Sequence, residues 1–392
     1  TKIAVECKFY SKKINKSDLI DIFIDYLPLA ENKSIDYLLL VTNQGLTPAS
    51  LTYVNSTTYA RHITYSQLKN SIMSFENYIA GILSQYGSSE LSKKYIYQSA
   101  EISEEEYFDD ILFELTSWIN TNNFVPKAIL GGYGLGKSTL ALMLASKLAA
   151  KYKKNNIHRI PILIKLEQIS NEQSLEGLIG KHFTTFSVIP NYNFNLFMKL
   201  NKLGRFVVVL DGFDEMKKTM SWETMRYNFS QINRLVGEKS KIIILGRPSA
   251  FLNADEYYEA LHGILSTRTQ KINLDYWPNY DEIKLLPFNT KQVRLYLNEY
   301  ISGKSKLKKG IIEELKEILK DEEHHINYLI RRPVQLKMFV QIIPNINYPL
   351  DDLTEALLYS EFIDLLLTRE SEKSTRNEFT KNERRKFLSS LA

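Results

Sequence analysis

Cysteine is almost absent from the 392 residues. Cys7 stands alone, which excludes a disulfide framework and a cysteine-based zinc cluster. The six histidines fall at no metal-ligand spacing, and the adjacent pair His324 and His325 lies in a polar helical segment and reads as solvated. No apolar run approaches the roughly 18 residues of a membrane span, so no membrane partner is expected. No signal-peptide pattern is visible, and a reducing, cytoplasmic setting fits best. A large excess of one charge sign is also missing: 50 Lys and Arg against 45 Asp and Glu leave a net value of +5, mildly basic, which permits nucleic-acid contact without arguing for it. The basic stretch Lys304 to Lys309 reads as a solvated loop. Tyrosine and phenylalanine are plentiful, at 24 and 19, and core or interface packing is their expected role.

Length and hydrophobicity allow two to four domains at roughly 100–200 residues each. The chain opens at Thr1, without Met, inside a strand pattern, and ends at Ala392 inside a helical one, so we expect a piece of a longer protein. Residues Lys2 to Tyr10 alternate, with Ile3, Val5, Cys7 and Phe9 on one face and Lys2, Glu6, Lys8 and Tyr10 on the other, the period of a half-buried strand. A helix follows over Ser17–Leu27, ended by Pro28, then a strand over Asp36–Thr42 and a turn at Asn43-Gln44-Gly45. Gly87 to Glu106, rich in Ser, Gly and Glu, reads as a linker, and Tyr107–Trp118 as a lead-in helix. From Ala128 strand and helix alternate, the pattern of a parallel sheet covered on both faces. Its strands are predicted at 128–130, 160–166, 206–210, 242–245 and 282–286. After Asn289 only helical periods remain.

The most specific signal is Gly131-Gly132-Tyr133-Gly134-Leu135-Gly136-Lys137-Ser138, a full G-x-x-x-x-G-K-[ST] loop between an apolar strand and an Ala/Leu-rich helix beginning at Thr139. Gly131, Gly132, Gly134 and Gly136 let backbone N–H groups turn inward around phosphates, and the helix N-terminus adds its positive end. Lys137 reaches the β- and γ-phosphates, Ser138 ligates Mg²⁺, and Thr139 opens the helix beside them. Phe206-Val207-Val208-Val209-Leu210-Asp211 is an apolar strand ending in a carboxylate, so Asp211 is the second candidate Mg²⁺ ligand. Asp214 and Glu215 follow and are candidates to orient the attacking water. Arg247, after the next strand, would point into the same crevice and read a γ-phosphate.

The run Asp211-Gly212-Phe213-Asp214-Glu215 and its spacing to Arg247 resemble the NACHT domains of the STAND class of signal-transduction ATPases. Pro287-Phe288, a helix, and Arg332-Pro333 resemble the small helical domain that follows, whose proline, here Pro333, lies near the adenine. Leu358-Tyr359 to Arg369-Glu370 and the last ten residues resemble the entry to a winged-helix region. The resemblance covers roughly 124–392. It departs at Gly246, where a hydroxyl residue is usual, and at Arg332, where Asn is common. It implies ATP rather than GTP.

Glu6 and Lys8 have E-x-K spacing on one strand face. Nucleases of the PD-(D/E)xK type place a Mg²⁺-binding carboxylate and a lysine in this way, the lysine stabilising hydroxide or phosphate charge. Val5-Glu6-Cys7-Lys8 and Leu40-Val41-Thr42-Asn43 resemble Mrr-like restriction-endonuclease domains, in which the first metal-binding Asp lies on a preceding strand, before Thr1. The expected organisation is therefore α/β: a partial restriction-endonuclease-like α/β domain over 1–87, a linker and lead-in helix over 88–123, a P-loop NTPase parallel sheet over 124–288, a small helical domain over 289–349 and the start of a winged helix over 350–392.

Together the resemblances imply an antiviral STAND NTPase of the Avs type. ATP and Mg²⁺ would control an N-terminal nuclease acting on double-stranded DNA. The trigger would be a phage protein bound by a C-terminal sensor outside this chain, and activation would proceed through a homo-oligomer. The alternative is a signalling scaffold ATPase whose N-terminal module binds DNA or protein without cutting. An AAA+ motor acting on DNA is the third reading, and the Asp-Gly-Phe-Asp-Glu run and long helical tail fit a switch better.

Overall fold

The computed structural model describes residues 1–87, 95–103, 106–155, 158–169, 174–219, 221–267, 270–301, 314–315, 317–321, 323–371 and 380–391. The chain divides into two compact units, Thr1–Ala80 with His182–Phe194, and Gly81–Lys181 with Asn195–Ala392. The basic stretch Lys304 to Lys309 lies outside the described residues.

The first unit is a three-stranded parallel sheet of β1 (Ile3–Lys8), β2 (Tyr37–Thr42) and β3 (Ala60–Thr64), in that order. Helices Lys16–Glu31 and Pro48–Ser56 make the crossovers. Leu19, Phe23, Leu38 and Leu40 form the centre of its core. Pro28 does not end the first helix, which runs on to Glu31. A proline there removes the hydrogen bond to the Ile24 carbonyl, and Ile24 is exposed, so water can take the partner's place. The faces of β1 are also reversed from a simple hydrophobic expectation. Val5 and Phe9 are 55% and 88% exposed, whereas the Glu6–Lys8 face is half-buried. The segment His182–Phe194 completes this unit, with the Phe183 ring 6.1 Å from Phe75 and 5.9 Å from Tyr78.

The second unit is built on a seven-stranded sheet. Its strands are β4 (Ala100–Ser103), β5 (Glu106–Phe108), β6 (Lys127–Leu130), β7 (Ile160–Lys165), β8 (Phe206–Asp211), β9 (Lys241–Gly246) and β12 (Asp281–Leu285), in the order β5-β4-β12-β6-β9-β8-β7. β12, β6, β9, β8 and β7 are parallel, and β4 and β5 extend the edge antiparallel. β8 and β9 are buried along their whole length, which is why they read as continuous apolar runs. β4 comes from the segment read as a linker, and β5 from its last residue and the start of the predicted lead-in helix, because only Ala100, Ile102 and Phe108 point into the core and the alternation is too short to stand out among Ser and Glu. The helix after them is Ile111–Ile119, capped by Asp110, and Tyr107 lies in β5. A hairpin of β10 (Ile264–Ser266) and β11 (Lys271–Asn273) was not anticipated. Helices Thr290–Ile301, His325–Ile330, Pro333–Ile342 and Glu355–Ser371 share one core around Phe288, Ile330, Leu336 and Phe339. His324 is not simply solvated: it caps the helix His325–Ile330 and its Nε2 lies 2.9 Å from Asp351.

β9 begins with a buried cation. Lys241 is 0% exposed, and its Nζ donates to the carbonyls of Trp118, at 2.7 Å, and Asn123, at 2.5 Å. The Trp118 ring faces it at 4.3 Å. Burial pulls its pKa down to about 8, and nearby Arg159 and Lys127 act in the same direction. Because the folded value lies below the unfolded one, the folded state carries a penalty below pH 8 that is relieved as pH rises toward 10.5. The drop corresponds to about 3 kcal/mol. In chemical denaturation, the stability of the wild type minus that of Lys241→Met is therefore expected to increase between pH 8 and pH 10. A difference independent of pH would contradict this.

Candidate nucleotide site

The sheet order sets the site. β9 lies between β6 and β8, and the register aligns Leu130 with Gly246 and Asp211 with Leu245. The phosphate loop after β6, the carboxylate ending β8 and the arginine after β9 therefore emerge side by side at the carboxyl ends of the strands, the usual ligand crevice of such sheets. The Gly131 N–H donates to the Gly246 carbonyl at 3.2 Å and ties the loop to the end of β9. Gly134 and Gly136 take φ of 74° and 91°, a left-handed conformation that favours glycine. Gly136 is the N-cap of helix Lys137–Lys154 and makes no side-chain cap bond, leaving the first-turn N–H groups for a ligand.

Lys137 donates to its own loop, to the Gly131 carbonyl at 2.7 Å and the Gly132 carbonyl at 3.0 Å. Burial lowers its pKa; Asp214, Asp211 and Glu215 oppose that shift and Arg247 adds to it. Asp211 is 7% exposed. Burial raises its pKa, and the Ser138 hydroxyl and Lys137 hold the rise back. Ser138 and Asp211 are thus adjacent hard-oxygen donors that suit Mg²⁺, with the remaining positions open to phosphate oxygens and water. Among the described residues no group of three or more His, Cys, Asp or Glu forms a metal cage.

Asp214 and Arg247 are held together. Arg247 Nε lies 3.0 Å from Asp214 Oδ2, its backbone N–H donates to Oδ1 at 3.2 Å, and its guanidinium covers the Tyr133 ring at 5.2 Å. The water-orienting candidate and the phosphate-reading candidate are therefore each other's partner. Glu215 folds back over Gly212, whose φ is 87°. The hydroxyl residue usual before such an arginine has no room here: a Cβ on Gly246 would stand 2.4 Å from two carbons of the Phe213 ring.

These groups line a cavity of about 580 Å³, which Thr139 and Pro333 also border. The sequence reading missed its far wall, made by Tyr95, Ile96 and Gln98 before the loop and by Tyr296, Tyr300, Val334 and Lys337 from the helical part. Tyr296 and Tyr300 stack at 4.1 Å between centroids. Gln98 donates to the Leu135 carbonyl, and the Val334 N–H to the Gly134 carbonyl at 3.2 Å, so the phosphate loop is hydrogen-bonded on both sides to other elements. In the sequence this wall was signalled by Phe288 and by Pro333, which opens helix Pro333–Ile342.

A family model describes the same segment. Residues 126–304 match the NACHT domain. The match supports a NACHT domain, a P-loop NTPase, over that segment. It is also similar to an uncharacterized WD repeat-containing protein of Nostoc sp., 26% identical over 224 residues, which is 56% of this chain and 14% of that protein. The chain thus spans about a seventh of the relative it matches. Among solved structures it is similar to the Orc1 protein of Aeropyrum pernix in complex with DNA, at 15% identity and a TM-score of 0.40, covering 66% of each chain. It is also similar to a Walker-type ATPase of Pyrococcus abyssi, at 16% identity and a TM-score of 0.40, covering 71% of this chain and 78% of that one.

In the first unit, Glu6 and Lys8 are brought together as the spacing implied. Lys8 Nζ lies 2.7 Å from Glu6 Oε1. The Tyr26 hydroxyl, which the sequence did not single out, donates to Glu6 Oε2 at 2.6 Å. Bonding to Lys8 and then Tyr26 lowers the Glu6 pKa, and Glu6 raises that of Lys8 and pushes that of Tyr26 up to about 12. Among the described residues no helix is long and apolar enough to cross a membrane.

Proposed function

We propose that this chain is an ATP-operated switch in which the NACHT domain couples phosphate occupancy to the helices that wall its cavity. The observation that carries this reading is the register that brings the Lys137 loop, Asp211 and the Arg247–Asp214 pair together at the carboxyl ends of β6, β8 and β9. Both cations have partners that a triphosphate would compete for. Lys137 would exchange two carbonyls for phosphate oxygens, and Arg247 would turn from Asp214 toward the γ-phosphate, freeing Asp214 to orient water with Glu215. Mg²⁺, held by Ser138 and Asp211, would supply neutralisation of phosphate charge. Val334, bonded to Gly134, would pass a change in the loop to the helical part, and population shift would follow from different affinities for the two states. ATP hydrolysis in Mg²⁺ that Asp211→Asn abolishes supports this; hydrolysis unchanged in that variant overturns it.

The effector reading is that the first unit is a Mg²⁺-dependent nuclease acting on double-stranded DNA, released by oligomerisation when a sensor elsewhere in the parent protein meets a phage component. The Glu6–Lys8 pair supports it, and a relative that combines a similar segment with WD repeats fits a switch joined to a separate recognition part. One observation favours the second reading, a non-cleaving DNA- or protein-binding module: both Glu6 oxygens are taken, one by Lys8 and one by Tyr26. For the chain described here we expect no linearisation of supercoiled plasmid in Mg²⁺, with or without ATP. Cleavage that Lys8→Ala removes would reverse that choice.

A further inference from the structure

A second cavity, of about 910 Å³, opens beside the helical core, and among the described residues its walls carry five cations and no carboxylate. Lys291 and Arg294 come from helix Thr290–Ile301, Lys320 from the turn before His324, and Arg331 and Arg332 from the loop entering helix Pro333–Ile342. Arg294 donates to the Leu319 carbonyl at 3.0 Å, and Lys320 pairs with Glu317 at 2.6 Å. The side chains of Lys291, Arg331 and Arg332 make no hydrogen bond or ion pair with any described residue.

Their placement runs against local electrostatics. Lys291 stands in the first turn of one helix, and Arg332 is the N-cap of another, with no side-chain cap bond. A helix N-terminus is its positive end, where cations are disfavoured and anions stabilised. Two such ends are brought to one cavity, because the Phe288 N–H donates to the Arg331 carbonyl at 2.8 Å. Tyr328, 75% exposed, adds an aromatic face at the rim.

We propose that this cavity is a site for a small, multiply phosphorylated ligand, distinct from the P-loop site. Several converging cations suit several phosphate oxygens, with the arginines able to grip them in bidentate fashion. The volume suits a small molecule. A net charge of only +5, with five cations in one concavity, speaks for a local site rather than a track along nucleic acid. The cavity shares Phe288 with the nucleotide cavity, and Arg332 adjoins Pro333 there, so the two sites have a common wall.

The test uses the whole chain carrying Lys137→Ala, which removes the P-loop's own phosphate binding and so separates this site from the switch. Inorganic tripolyphosphate is titrated by calorimetry at physiological salt, beside a single-stranded oligonucleotide. We expect one tripolyphosphate per chain, weakened by roughly tenfold or more when Lys291→Ala and Arg331→Ala are added, with thermal unfolding unchanged. No binding in the Lys137→Ala chain, binding indifferent to the double substitution, or a preference for the oligonucleotide would each overturn the proposal.

Discussion

Lys137→Ala is expected to weaken binding of Mg-ATP by about 10²–10⁴-fold. The ammonium contributes charge-assisted hydrogen bonds to phosphate oxygens, each about 1.5–3 kcal/mol, and two of them give about 3–6 kcal/mol. Burial makes the contact stronger than a surface ion pair, and the positive end of helix Lys137–Lys154 cannot replace a point charge that reaches between two phosphates. The fold should survive, because the bonds lost in the free protein are to the Gly131 and Gly132 carbonyls of a loop open to the cavity. Calorimetric titration checks the affinity and circular dichroism the fold. A loss below about threefold would mean that phosphates do not sit where the loop is built to receive them.

Gly246→Ser is the second substitution with a large expected effect, although it installs the hydroxyl residue usual in the resembled family. The new Cβ would meet the Phe213 ring at 2.4 Å. That ring is itself packed against the Phe229 and Phe251 rings, each 5.7 Å away between centroids. Overpacking of this kind costs about 1–3 kcal/mol, and relief would come by moving the turn Phe213–Thr219 that carries Asp214 and Glu215. Both melting temperature and ATP hydrolysis should therefore fall together. Adding Phe213→Leu should restore much of the stability, since the two positions compete for one volume. If Gly246→Ser alone melts like the wild type, the packing account of the missing hydroxyl is wrong.

The parts of the site that were legible in the sequence are those whose chemistry is contiguous. Gly131 to Ser138 declares itself because one loop supplies the glycines, the lysine and the hydroxyl. Asp211 declares itself because β8 is buried on both faces and a carboxylate ends it. Arg247 was placed by its position after a strand, but its pairing with Asp214 depends on β9 lying between β6 and β8, an order no local pattern encodes. The wall of tyrosines was invisible for the same reason: Tyr95, Tyr296 and Tyr300 come from distant segments, and each alone reads as ordinary packing. In the first unit the E-x-K spacing predicted proximity correctly, whereas Tyr26, one helix away, decides what Glu6 is bonded to. The exposure of Val5 and Phe9 shows a further limit, since alternation marks two faces without saying which one the core takes.

The claim at the centre of this account is that Arg247 distinguishes a triphosphate from a diphosphate by leaving Asp214. The most direct measurement is the affinity of the wild type and of Arg247→Ala for ADP and for a slowly hydrolysed ATP analogue, both with Mg²⁺. The account predicts that Arg247→Ala weakens the triphosphate by roughly tenfold or more while ADP changes by less than about twofold, because a guanidinium contact to a charged oxygen is lost only with the γ-phosphate. Equal changes for both nucleotides, or none for either, would contradict it.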